Sequence, residues 1–156
     1  SPGNKKGGLT TILEKSLGAV AKSGISVMKD VLSYAEPLKK KGFNYMDSPG
    51  FDPVSVTGQV ASGCNIICFT TGRGSCFGFK PTPSIKIATN TNMYNRLKED
   101  MDINAGVIVD GESDIKKIGE AIFNNIIETA SGKLTKSEIN GYGDDEFNPW
   151  IIDPTL

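Results

Sequence analysis

The sequence predicts an α/β protein: a three-layer, Rossmann-like domain with a mostly parallel sheet flanked by helices. Apolar strand segments alternate with amphipathic helical segments through the middle of the chain, which is the pattern of such folds. Several strand segments end in loops rich in glycine, asparagine and hydroxyl side chains. The chain has 156 residues, 38% apolar residues and a net charge of −1, which suits one soluble domain. We therefore expect a single domain over 1–156, with an irregular tail over 137–156.

The first third of the chain predicts one clear helix. Thr11 and Glu14 have capping-box spacing, so a helix is expected over 12–22, with Gly24 as its stop. Residues 27–35 remain ambiguous between helix and strand.

The next segment has a strand–helix–strand pattern. A strand is expected over 43–46, followed by a helix with Asp52 as N-cap, Pro53 at its first position and Gly63 at its end. The apolar run over 65–69 then predicts a buried strand. The later elements, in order, are expected as an irregular segment over 76–83, a strand over 84–89, a helix from 90–92 to about 100, a strand over 106–109 and a helix from 113 to near 132.

Composition excludes several classes of function. The chain has no basic tract for nucleic acid or an anionic membrane, and no apolar run long enough to span a bilayer. Its three cysteines lack metal-site spacing, so they are expected to be buried reduced thiols in a cytoplasmic protein. The chain contains no histidine, so acid–base chemistry within it must use other side chains.

The loop after the apolar strand is the strongest candidate for a binding site. Two glycines allow backbone N–H groups to approach an anion, and a single arginine can grip a carboxylate through two parallel hydrogen bonds. The alternative is a tight turn with a solvated arginine. The candidate substrate-binding residues of this loop are Thr71, Gly72, Arg73 and Gly74.

Two other strand ends are expected to converge with this loop at one sheet edge. Asp47, after the strand over 43–46, would be a metal ligand, a base or a turn-forming side chain. Asn90, after the strand over 84–89, is a candidate substrate-binding residue. Both predictions depend on the strands belonging to one parallel sheet.

Lysines are the candidate bases and carboxylate partners. A lysine acts as a base only where burial or a nearby cation lowers its pKa; otherwise it is a solvated surface residue. Lys86 is the most suggestive, because it lies within an alternating strand, and the others are Lys5, Lys6 and Lys15. Asn4 and Lys5 lie in a glycine-rich segment ahead of the first helix, where an anion-binding loop is expected.

Several runs together resemble the C-terminal region of altronate and galactarate dehydratases, in colinear order over nearly the whole chain. They are residues 1–11, Glu14-Lys15-Ser16-Leu17-Gly18, Met46-Asp47-Ser48-Pro49-Gly50, Phe69-Thr70-Thr71-Gly72-Arg73-Gly74-Ser75, Pro83-Ser84-Ile85-Lys86, Asp100-Met101-Asp102-Ile103-Asn104-Ala105-Gly106 and Ala130-Ser131-Gly132-Lys133.

The resemblance implies a lyase that removes water from a sugar acid to give a 2-keto-3-deoxy acid. It also implies a divalent metal, Fe²⁺, and N-terminal domains of the same protein as partners. The lack of histidine in this chain suggests that the metal ligands lie in those domains. Arg73 resembles the altronate-type loop, which favours an aldonate substrate. Lys86, Lys15 and Asp47 are then the candidate catalytic residues.

Two alternatives stay open at this point. The same family includes a sulfolactate sulfo-lyase, which eliminates sulfite and also needs carboxylate anchoring and α-proton removal. A non-catalytic carboxylate-binding or assembly domain, forming a homo-oligomer, is the rival from another class.

Overall fold

The computed structural model describes residues 2–150, which divide into two compact units. The first unit comprises residues 2–31 and 40–45, and the second comprises 32–39 and 46–150. The α/β class, with parallel strands flanked by helices, is confirmed.

The first unit contains two helices and most of a two-stranded sheet. The elements are α1 (Pro2–Lys6), α2 (Ile12–Lys22), β1 (Met28–Leu32) and β2 (Phe43–Met46), and β1 pairs with β2. Helix α2 begins as predicted, because the Thr11 hydroxyl accepts a hydrogen bond from the Glu14 N–H at 3.1 Å. The ambiguous segment forms the strand β1.

The second unit contains the parallel sheet. Its elements are α3 (Asp52–Ala61), β3 (Ile67–Thr71), β4 (Ser84–Ala88), α4 (Thr91–Arg96), β5 (Ile103–Asn104), α5 (Ile115–Ala130) and α6 (Lys136–Ile139). The strand order is β3-β4-β5, and both pairings are parallel, with Thr71 beside Ala88 and Ala88 beside Asn104. The carboxyl ends of the three strands therefore meet at one edge.

Apolar clusters hold helices against this sheet. Val56 of α3 packs with Ile67 of β3 and with Phe77 and Phe79 of the following segment. Met93 of α4 packs with Ala88 of β4 and with Met101. Strand β4 is buried along its whole length, as a central strand of a parallel sheet is expected to be.

Several local predictions need correction, beginning with α3 and the segment after β5. The N-cap of α3 is Phe51, and Asp52 and Pro53 occupy its first turn. The strand expected over 106–109 is a 3₁₀ turn, Gly106–Ile108, and the short strand β5 precedes it. A Cβ at Gly106 would lie 2.3 Å from the Thr91 nitrogen, so this backbone packs against α4 too closely for a larger residue.

The tail expected from residue 137 begins instead with a helix. Thr135 and Glu138 form a reciprocal capping box at the start of α6, a local signal that favours a helix even over four residues. Between 140 and 150 there is neither helix nor strand, and residues 151–156 lie outside the described part.

The thiols are also more accessible than predicted. Cys68 and Cys76 are exposed, and Cys64 is only partly buried. Cys68 is exposed because it lies on the edge strand β3 and faces away from the Phe69 side of the sheet.

Candidate functional site

The loop that follows β3 forms a tight turn around the Thr71 hydroxyl. Its oxygen accepts hydrogen bonds from the N–H groups of Arg73 at 3.3 Å and Gly74 at 3.1 Å. The Gly74 N–H, predicted to bind the substrate carboxylate, donates to Thr71 in this conformation. Gly74 is needed for space instead: its φ is +94°, and a Cβ there would lie 2.1 Å from the Leu97 side chain.

Arg73 projects from this turn into solvent. Arg73 is exposed, and within residues 2–150 its guanidinium has no ion-pair or hydrogen-bond partner. A free guanidinium beside a strand end has all its donors available for a carboxylate.

Thr89 joins the loop to the end of β4, although sequence reasoning did not select it. Its N–H and its hydroxyl both donate to the Thr71 carbonyl, at 2.9 Å and 3.2 Å. A Cβ at Gly72 would lie 3.3 Å from the Thr89 hydroxyl. The β3 and β4 strand ends therefore converge as predicted.

Asn90 has a structural role. Its Oδ1 accepts the Met93 N–H at 3.1 Å and so caps α4. Only the Nδ2 group of Asn90 remains to donate to a ligand.

A polar network at the end of β5 is a second feature that sequence reasoning missed. Asn104 donates from Nδ2 to the Thr91 hydroxyl at 3.1 Å, and Thr91 donates to Asp110 at 2.5 Å. The Asn104 Oδ1 accepts the Gly106 N–H at 3.0 Å. Asn104 pairs with Ala88 in the strand register, so this network lies at the same sheet edge. The run Asn104-Ala105-Gly106, which ends where a strand was predicted to begin, was the available signal.

Lys86 lies two residues before the end of β4 and is fully buried, with 0% of its surface exposed. Its Nζ has no hydrogen-bond partner in the described residues, and it lies 6.0 Å from the centre of the Tyr142 ring. Burial lowers the pKa of Lys86, although the nearby carboxylates of Asp102 and Asp100 act in the opposite direction.

Asp102 fixes the backbone around Lys86. One carboxylate oxygen accepts the Lys86 N–H at 2.7 Å, and the other accepts the Lys136 N–H at 2.9 Å. Asp102 thereby ties β4 to the start of α6, and the segment after α6 carries Tyr142 over the lysine.

Asp47 does not join the strand-end cluster. It follows β2, which pairs with β1 in a sheet separate from β3-β4-β5, so the expectation of a shared sheet edge is wrong. Asp47 is exposed, and its backbone N–H donates to the Leu32 carbonyl at 2.9 Å. No hydrogen bond or ion pair in the described part joins Asp47 to Arg73 or Lys86.

The other three predicted residues lie together in the first unit. Asn4, Lys5 and Lys15 line one pocket of about 140 Å³ at the start of α2, together with residues 9–12. The segment expected to be a loop is partly helical, because α1 covers residues 2–6. The two lysines are exposed and give this pocket a positive lining.

Among residues 2–150, no group of three or more Asp, Glu or Cys side chains is arranged to hold a metal ion. A second pocket, of about 250 Å³, is lined by Cys76 and the segment 141–146, which includes three acidic residues.

The geometry defines a class of protein first. It is an α/β domain with a parallel sheet whose strand ends carry an exposed arginine, hydroxyls and amide side chains. The particular family follows from residues 1–155, which match the model of the family described as D-galactarate/altronate dehydratase, C-terminal. The chain belongs to this family.

Individual relatives agree with that assignment. The chain is 49% identical to galactarate dehydratase (L-threo-forming) of Escherichia coli K12 over 133 residues, which are 85% of this chain and 25% of that protein. It is 43% identical to altronate dehydratase of Bacillus subtilis 168 over 143 residues, or 91% of this chain and 28% of that protein.

A more distant relative performs different chemistry. The chain is 33% identical to the (2R)-sulfolactate sulfo-lyase subunit beta of Chromohalobacter salexigens over 141 residues, which are 90% of this chain and 36% of that subunit. The chain thus spans about a quarter to a third of the length of the curated relatives it matches.

No helix in the described range 2–150 is long and apolar enough to cross a membrane.

Proposed function

We propose that this chain is the C-terminal domain of a longer hydro-lyase that removes water from a sugar acid to give a keto-deoxy acid. The observation that carries the proposal is the family match over residues 1–155. The dehydratase names of the relatives at 49% and 43% identity support the reaction class. A cytoplasmic location and a Rossmann-like arrangement of the sheet belong to the same proposal.

We place the substrate carboxylate at the edge where β3, β4 and β5 end. Arg73 is the proposed anchor, because its guanidinium is exposed and unpaired in the described residues. The hydroxyl of Thr71 and the Nδ2 group of Asn90 are the neighbouring groups that complete the binding site. Holding the carboxylate fixes the carbon next to it, which is the carbon that loses a proton in the elimination.

Lys86 is the proposed base for that proton. A lysine must be neutral to accept a proton, and full burial without a partner favours the neutral amine. Lys15 is the alternative, with Asn4 and Lys5 as anion-binding neighbours in its pocket. The base takes the proton from the carbon beside the carboxylate, a C=C double bond forms as the C–O bond of the β-hydroxyl breaks, and the departing hydroxide takes up that proton and leaves as water. The resulting enol then tautomerises to the keto acid.

The proposed Fe²⁺ site lies outside this chain. Because the described residues do not form a cluster suited to iron, we propose that any Fe²⁺ is bound by the part of the protein outside this chain.

The substrate class remains broader than altronate alone. Arg73 favours an aldonate on the resemblance, whereas identity is higher to a galactarate dehydratase than to an altronate dehydratase. The relative at 33% identity supports a second candidate, elimination of sulfite from sulfolactate. A non-catalytic, oligomer-forming domain is the rival from another class.

Turnover of the longer polypeptide on altronate, galactarate and sulfolactate, each with and without iron(II), tests the proposal. We expect keto-acid formation from one of the two sugar acids. Release of sulfite from sulfolactate alone would replace the dehydratase with the sulfo-lyase. Saturable carboxylate binding by a folded, metal-loaded protein that turns over none of the three would favour a binding domain.

A further inference from the structure

Helix α5 carries two apolar rows that differ in exposure. The inner row, Ile118, Ile122 and Ile126, is partly buried. The outer row lies one step around the helix, with its members four residues apart: Ile115, Gly119, Phe123 and Ile127.

The outer row is open to solvent along its length. Ile115 is 77% exposed, Phe123 is 62% exposed and Ile127 is 51% exposed. At Gly119 there is nothing within 4 Å of the place where a Cβ would lie. Exposed apolar side chains are common singly, but a contiguous row on one helix is typical of an interaction surface.

The row has the form of a helix-packing ridge. Residues four apart make the ridge that fits into the groove of a neighbouring helix, and none of these four is charged. Gly119 leaves a gap between Ile115 and Phe123, so a side chain from a partner can enter there and approach the backbone closely.

We propose that this row of α5 is the docking surface for the part of the longer polypeptide that lies outside this chain. The inference rests on the proposed function, in which the chain is one domain of a dehydratase. Roughly three quarters of the length of each dehydratase relative lies outside the matched region, so a covering segment is available in such proteins.

The size of the row favours a segment of the same polypeptide over a second copy. Three partly exposed side chains offer on the order of 100 Å² each, which is about 300 Å² on this side and about 600 Å² for both sides together. A stable dimer buries about 800 Å² on each partner, whereas domains joined in one chain hold together with about 600 Å² in total. Segments of one polypeptide meet at a high effective concentration, so less contact area is needed.

A photo-crosslinking experiment on the longer polypeptide tests the proposal. p-Benzoylphenylalanine is placed at Phe123, and the matched control is the same group at Asn124, an exposed polar position on another side of α5. After irradiation, mass spectrometry identifies the adducts. We expect position 123 to crosslink to peptides outside the 156 residues at least tenfold more than position 124.

Three results would overturn the proposal: adducts from position 123 that join two copies, adducts that stay within the 156 residues, or a yield no higher than that of position 124. Phe123→Glu gives a second readout, with Asn124→Glu as control. It is expected to lower the Tm of the longer protein by several degrees and to leave the Tm of the 156-residue chain unchanged. An equal loss of Tm in both would overturn the docking role.

Turnover by the unmodified longer protein separates this inference from the proposed function. Crosslinks to the outside segment without any turnover would keep the docking surface and remove the dehydratase. Turnover without such crosslinks would remove the docking surface alone.

Discussion

Lys86 is the residue with the most unusual environment in this chain. It has 0% exposure and no hydrogen-bond partner on Nζ, so its protonated form lowers the free energy of unfolding. Such a cost is typical of functional residues, since a residue needed only for packing would be better replaced by an apolar one.

Replacing Lys86 with methionine is therefore expected to stabilise the domain. Lys86→Met keeps the length of the side chain and removes the buried charge, so the free energy of unfolding at pH 7 should rise by about 1–3 kcal/mol. Urea denaturation followed by circular dichroism measures the change. Lys116→Met, at an exposed position of α5, is the control and should have almost no effect. A less stable Lys86→Met variant would show that the ammonium has a partner.

The difference in stability between the wild type and Lys86→Met should change with pH in a definite direction. Burial holds the pKa of Lys86 in the folded protein below its value in the unfolded chain. Between those two pKa values the unfolded chain binds more protons, so the stability of the wild type rises with pH relative to Lys86→Met. The advantage of the variant should therefore be largest below the folded pKa and should shrink as the pH approaches the ordinary lysine value. A constant difference across this range would contradict the lowered pKa.

At the scale of elements, the segment 141–144 is held against residues 78–80 by glycine. Gly143 has φ of +108°, and a Cβ there would lie 2.8 Å from backbone atoms of Gly78 and Phe79. The Lys80 N–H donates to the Gly143 carbonyl at 3.3 Å, and Lys80 forms an ion pair with Asp144. This contact keeps Tyr142 over Lys86.

Gly143→Ala is expected to disrupt that contact. The substitution forces the two backbones apart, and we expect the free energy of unfolding to fall by about 2–4 kcal/mol. Gly141→Ala is the matched control, because Gly141 also has a positive φ of +72° but nothing lies within 4 Å of its Cβ position. The control should cost about 1 kcal/mol. Equal losses in the two variants would contradict the close backbone contact.

Asp102 links two elements, so its substitution should affect both. Asp102→Asn replaces one of two acceptor oxygens with an NH₂ group, which faces a backbone N–H of Lys86 or Lys136. We expect a loss of about 1–3 kcal/mol in thermal or urea unfolding. Hydrogen exchange should show faster exchange at the amides of residues 86 and 136. Asp100→Asn, with a carboxylate that accepts no such pair of bonds in the described residues, is the control. Slow exchange at both amides in Asp102→Asn would contradict the bridging role.

The sequence predicts those elements best that have strong local signals. The cap at Thr11 and the apolar spacing of α5 act within a few residues, and both helices form close to the expected bounds. The strand β5 has only two residues, and the turn at Gly106 depends on contact with Thr91, which is distant in sequence. Such long-range contacts do not appear in local periodicity.

In the candidate site, too, some features follow from sequence patterns and others depend on long-range contacts. The convergence of the β3 and β4 ends follows from parallel pairing, which the alternation of strands and helices predicts. The separate sheet of β1 and β2 removed Asp47 from that edge, and nothing in its neighbouring residues signals this. The bonds from the Arg73 and Gly74 amides to Thr71 depend on the exact turn geometry.

At the scale of the whole molecule, the described part of the chain has uncovered apolar surface. Within the described residues, α2 buries none of its side chains, and Ile12, Leu13 and Val20 are each more than two-thirds exposed. Helices of this length are marginal in water without tertiary packing. Such a surface is expected if the chain is one domain of the longer protein proposed above.

The measurement that tests the central claim most directly is steady-state turnover of the longer polypeptide by wild type, Arg73→Ala and Arg73→Lys on its sugar acid. If Arg73 holds the carboxylate, we expect Arg73→Ala to lower kcat/KM by at least a hundredfold. Arg73→Lys should recover part of that loss, because lysine restores the charge without the bidentate geometry. Arg96→Ala, at an exposed position of α4, is the control and should behave as wild type. Unchanged kcat and KM in Arg73→Ala would contradict the account and leave the strand-end loop without a part in substrate binding.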